Sequence, residues 1–201
     1  MYDQARDRVD KSIESLVEDY RRSLYVHEYE ARLVAQRMPT RVADEVIAQF
    51  YEEHRDMFVL KESIVKGLLL VVPNDAPKLE QLRKKLNPFQ EQILEDVEKY
   101  AYQNATGYEL FIDEWRRTND LLIMMPFEQN DLTQQLKTKS QIELKDSIST
   151  YILQVVDKHL AGEQMPLDYA KPDIEKVILT QRQVEFLKNE RNALYEKKYK
   201  K

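Results

Sequence analysis

The chain has 201 residues, 42% hydrophobic and 33% charged, which suits one sizeable domain or a helical module with a smaller insert and does not suit disorder. A net charge of −5 argues against broad, salt-dependent nucleic-acid binding, which needs a surplus of Lys and Arg. With no cysteine, disulfides, thiolate nucleophiles and Cys-based metal sites are excluded.

The first predicted helix runs from about Asp3 to Arg37, and Pro39 stops it by removing a donor and restricting the residue before it. Val9, Ile13, Leu16, Tyr20 and Leu24 recur along it at the three- and four-residue steps of one helical face. A second helix spans Asp44 to His54, with Asp44 and Glu45 at its positive N-terminal end and Val46, Ile47, Phe50 and Tyr51 on the side expected to be buried. Phe58 and Leu60 then anchor an extended lead-in.

From Val65 the run VKGLLLVV is almost continuously apolar and closes on Pro73, Asn74 and Asp75. It suits a strand buried on both faces, and periodicity alone also fits a buried helical turn. Helical sequence follows at Lys78 to Leu86 and Phe89 to Tyr102. Next come a candidate strand near Leu110 to Trp115, an apolar segment from Leu121 to Phe127 and a polar helix or turn at Asp131 to Lys137. TYILQVV, from Thr150, is the second clear strand. The C-terminal segment from Gly162 to Lys201 carries Ala170, Ile174, Val177, Val184, Leu187 and Leu194 at helical spacing, and its expected partner is the stripe of the first helix. Its basic tail reads as a solvated helix end whose cations complement the helix dipole.

The organisation is therefore mainly helical α+β, with an N-terminal helical part at 1–60, an α/β insert at 61–160 and a closing C-terminal helix at 161–201. The longest apolar runs, such as Leu68 to Val72, are far too short to span a bilayer. Tyr2 to Asp10 is polar and does not open a signal peptide, so an exported form would have lost its targeting segment before this start.

Only Gly67, Gly107 and Gly162 occur, which excludes the closely spaced glycines of phosphate-binding loops. His27, His54 and His159 lie far apart, and HEYE at His27 lacks the second histidine of a helical zinc site. Ser140, Ser147 and Ser149 have no nucleophile-elbow context. Glu28 and Arg32 read as a surface helix pair. Residue chemistry alone thus names no catalytic group.

The block YRRSLYVHEYEARLVAQRMPTRVADEVIAQFYEEHRDMFVL, from Tyr20 to Leu60, resembles the N-terminal region of SurA-like, parvulin-type periplasmic chaperones, with FYEEHRDMF in the place of that family's YYEEN-like motif. AKPDIEKVILTQRQVEFLKNERNALY is similar to its closing helix. GLLLVVPNDAPKLEQLRKKL and GEQMPLDYAKP look closest to small Bacteroidetes members described as peptidyl-prolyl isomerases.

The resemblance implies terminal helices that pack together into a cradle for unfolded exported polypeptides, outer-membrane proteins in particular, around a parvulin-like insert that uses no cofactor or metal. It implies a periplasmic location, while the expectation of no nucleic-acid partner rests on the net charge. Parvulins lower the barrier to X-Pro rotation, which is roughly 18 to 20 kcal/mol uncatalysed. Their first histidine falls here among Lys66, Gly67 and Leu68, their second at Tyr151, and their glycine-rich turn is missing between Tyr102 and Trp115. The expectation is a degenerate insert with little or no isomerase activity.

Candidate client-binding residues are Tyr20, Tyr25, Tyr29 and Met38 on the first helix and Met124, Met125 and Phe127 in the insert, because Met adapts to shape and Tyr presents an apolar body with a polar tip. Trp115 is expected in the core. An active isomerase, and a helical assembly protein forming a homodimer, are the competing readings.

Overall fold

The structure, a computed structural model, describes residues 2–126 and 128–199. Two compact units emerge, one of Met1–Phe50 with Lys171–Lys201 and the other of Tyr51–Ala170. The fold is mainly helical α+β, with a four-stranded antiparallel sheet.

The first unit is helical. Helix α1 covers Tyr2–Arg37, α2 covers Asp44–Glu53, and the long α7 covers Leu167–Tyr199. The division between units falls inside α2, after Phe50, and inside α7, after Ala170. Asp44 and Glu45 occupy the first turn of α2, where the helix dipole favours acids. Leu33, Val42, Ile47, Ile174 and Ile178 are its buried apolar residues. Val42 N–H donates to Glu175 Oε1 at 3.2 Å, and Lys171 pairs with Asp44 at 2.7 Å. Towards the far end of α7, Arg191 forks onto both oxygens of Glu30 at 2.7 and 2.9 Å, and Arg37 reaches Glu190 at 3.3 Å.

The expected stripe-to-stripe pairing of the terminal helices does not form. Ile13, Leu16, Val17, Tyr20 and Leu24 are 50–70% exposed, and on α7 Val184 and Leu194 are also exposed. Geometry explains the difference. Seven steps of three or four residues carry Ala170 to Leu194 at a mean of about 3.4 residues, against 3.6 per turn, so that stripe winds roughly 120° round the helix. The Ile174 and Ile178 side and the Leu187 and Leu194 side of α7 are therefore different faces.

The second unit is built on strands β1 (Ile64–Pro73), β2 (Gly107–Arg117), β3 (Gln141–Lys145) and β4 (Ser149–His159), in the order β2-β1-β4-β3. The apolar run is the central β1, since it meets side chains on both faces. On one face Val65 and Leu69 pack with Phe111, Leu153 and Val155. Leu121 of α5 (Thr118–Leu121), and Leu132 and Leu136 of α6 (Gln129–Thr138), join that cluster. On the other face Leu68, Leu70 and Val72 pack with Ile152, with Leu79, Leu82 and Leu86 of α3 (Leu79–Leu86), and with Val97 and Ala101 of α4 (Leu94–Asn104). These helical residues recur at three- and four-residue steps, the spacing that presents one face.

Where the chain enters and leaves this unit, the two segments are zipped together. Leu60 N–H donates to Glu163 O at 2.9 Å, Gly162 N–H to Leu60 O at 2.8 Å and Met165 N–H to Phe58 O at 2.8 Å. Tyr51 stacks on Phe58 and donates its hydroxyl to Met165 O at 2.6 Å. These bonds, with a turn at Ala161 and Gly162 in which Glu163 N–H donates to Leu160 O at 3.0 Å, engage residues 160–165 outside any helix, so α7 begins at Leu167 and not at Gly162.

Candidate functional site

In the first unit, α1 and α7 frame an apolar groove of about 390 Å³. Tyr25, Val26, Tyr29 and Leu33 line it from α1, and Leu187 and Leu194 from α7. Its rim carries Glu30, Glu190 and Arg191. The Arg191 guanidinium, hydrogen-bonded to Glu30, holds that carboxyl below its usual range, and partial burial only opposes this in part. The charges are thus used on one another, and the groove itself offers aromatic and aliphatic surface. Such a surface accepts apolar side chains with little demand on sequence.

Of the client-binding candidates, Tyr25 and Tyr29 meet in this groove. Tyr20 is exposed on α1 outside the groove lining, and Met38 is half-buried just beyond the helix end. Met124 is partly exposed in the second unit. Its neighbour Met125 is 2% exposed and packs in the core with Leu121, Leu132 and Leu136, so it presents no surface to a client. Phe127 lies outside the described residues. Sequence reasoning missed Leu33, Leu187 and Leu194 as groove residues, because contacts between segments some 160 residues apart leave no local pattern.

Lys66 and Tyr151, the positions expected from the resemblance to stand in for parvulin histidines, are not brought together. Lys66 lies at a register shift in β1, opposite Asp157, whereas Tyr151 lies opposite Val71, five residues further along the strand. At about 3.3 Å per residue, this separates them by roughly 16 Å. Lys66 is also engaged: its ammonium is 3.1 Å from Asp168 Oδ2 and lies 4.6 Å from the centroid of the Trp115 ring. Trp115 donates Nε1–H to the same Asp168 oxygen at 2.8 Å, and its ring lies 5.2 Å from that of His159. Burial disfavours ionisation of Asp168, but the bonds from Trp115 and Lys66 outweigh it and hold the carboxyl below its usual value. Trp115 is accordingly a half-buried polar contact and not the core residue expected of it. This cluster of mutually satisfied groups acts as a clasp between β1, β2 and the first turn of α7.

Gly67 has no room for a side chain. A Cβ there would lie 2.0 Å from the backbone oxygen of Gln154 and 3.2 Å from Val155 Cα, far inside contact distance. Tyr151 donates its hydroxyl to Asp146 Oδ2 at 2.9 Å, and that bond raises the phenol's pKa. Asp146 in turn is held below its usual value by the N–H groups of Ser149 and Ile148 and by Tyr151. Among the described residues, no cluster of three or more His, Asp or Glu is arranged to hold a metal ion, and no helix is long and apolar enough to cross a membrane.

No protein-family model and no curated protein matches the chain. A solved structure does: it belongs to work on the virulence factor PEB4 and the periplasmic protein Cj1289 of Campylobacter jejuni, described as two structurally related SurA-like chaperones. The match covers 90% of this chain and 71% of that one at 13% identity, with a TM-score of 0.34. A score that low does not establish a shared fold.

Proposed function

We propose that the chain is a periplasmic folding factor that holds unfolded exported polypeptides, outer-membrane proteins in particular, in the groove between α1 and α7. The observation that carries this reading is the groove itself, an apolar channel lined by Tyr25, Tyr29, Leu33, Leu187 and Leu194 with its charged rim internally paired. One client side chain of Leu or Phe size gains roughly 1.5 to 3 kcal/mol on full burial there. That is enough for capture when several segments engage in turn, and weak enough for release. The sequence motifs that resemble those of SurA-like chaperones point the same way.

Isomerisation is a poor fit to the second unit. Lys66 is paired with Asp168, Gly67 has no space for a histidine, and the Tyr151 hydroxyl already donates its hydrogen bond to Asp146. A protease-coupled prolyl isomerisation assay should return the uncatalysed rate. Acceleration comparable with an active parvulin, abolished by Tyr151→Phe, would overturn this part of the proposal. A photo-crosslinking residue at Tyr29 should capture an unfolded outer-membrane protein, and crosslinks obtained only from the second unit, as at Met124, would place the client elsewhere.

A further inference from the structure

The apolar stripe of α1 is separate from the groove. Counting about 100° per residue, Ile13, Leu16, Val17, Tyr20 and Leu24 centre on one side of the helix, and Tyr25, Val26, Tyr29, Glu30 and Leu33 centre roughly 180° away. The α7 of the same chain meets the second set. The first set is left exposed through three helical turns. An amphipathic helix draws most of its stability from packing of its apolar face, so this stretch calls for another partner.

The flanking charges say which one. Glu14 and Arg21 are seven residues apart, so they stand two turns apart on the same flank of the stripe, with opposite sign. When two copies of such a helix pack antiparallel about a two-fold axis, each flank meets its own copy running the other way. An axis between Val17 and Glu18 then sets Glu14 beside the second copy's Arg21, and Arg21 beside its Glu14. A parallel pairing would instead turn that flank towards the opposite one, where Asp19 stands. Arg21 is within 3.2 Å of Glu18 on its own helix, an exposed pair that it can exchange at little cost.

We infer that a second copy of this chain covers the stripe, the two α1 helices pairing antiparallel over residues 13–24. The pairing leaves both client grooves open, since they lie on the opposite side of α1, and it does not depend on the client-binding reading. Five side chains from each copy, against the roughly 20 to 30 residues a side of a standard interface, make a weak dimer.

Sedimentation equilibrium from about 1 to 100 µM tests this. The mass should rise from the 24.0 kDa of one chain towards twice that value. Leu16→Glu should weaken the dimer at least tenfold. Glu14→Arg and Arg21→Glu should each weaken it about three- to tenfold, and the two together should restore it. The restoration distinguishes antiparallel pairing from loss of folding, because a variant that merely unfolds is not rescued by a second charge change. A single-chain mass throughout would overturn the proposal. So would a dimer indifferent to Leu16→Glu, or one not restored by the double exchange.

Discussion

Gly67→Ala should be among the most damaging single-methyl additions in this protein. The new Cβ would meet backbone and not a movable side chain, at 2.0 Å from Gln154 O and 3.0 Å from Gln154 C. Gln154 belongs to β4, which pairs with β1 along ten residue positions and with β3 on its other side, so neither strand can shift alone. Overpacking typically costs about 1 to 3 kcal/mol, occasionally more, and the immobile contact puts this case at about 3 kcal/mol. For a chain of this size that lowers Tm by roughly 6 to 12 °C. Thermal and urea unfolding of the wild type and variant, followed by circular dichroism, measures it. A loss below about 0.5 kcal/mol would refute the reasoning, and with it the claim that position 67 excludes a larger side chain on steric grounds.

Two further outcomes follow from the same geometry. Met125→Ala removes a buried side chain from the cluster of Leu121, Leu132 and Leu136 and should cost about 2 to 5 kcal/mol in urea unfolding, whereas the partly exposed Met124→Ala should change stability by under about 0.5 kcal/mol. Asp168 has a folded pKa below its unfolded value of about 3.9, so its contribution is present above that pH and is lost as pH falls through the folded value. Asp168→Asn should therefore flatten the fall in urea midpoint below about pH 4, and an unchanged acid slope would show that the clasp does not couple to folding.

The elements were legible where a periodic pattern was long. The apolar run at β1 announced a strand covered on both faces, and the helices at α1, α2, α3 and α6 lie within a few residues of their sequence limits. β3 escaped notice although Gln141 to Lys145 alternates polar and apolar residues, because the run is only five residues long and Ile142 alone in it is fully buried. The helical stripes were legible as stripes and not as partners. Spacing says that Ile13 to Leu24 share a face, but which surface meets that face is decided by three-dimensional packing. At the candidate site, Tyr25 and Tyr29 stood out as aromatics on an otherwise charged helix. Met124 and Met125 looked alike in sequence, and a single residue step put one at the surface and the other in the core.

The central claim is that the α1–α7 groove holds unfolded polypeptide. Its most direct test is light scattering from an unfolded outer-membrane protein diluted into stoichiometric excess of the wild type or of Tyr29→Asp/Leu194→Asp. Both positions are at least half exposed, so the double variant should fold. The account predicts that the wild type suppresses aggregation and that the variant loses most of that protection at unchanged helicity. No protection by the wild type, or full protection by the folded variant, would contradict it.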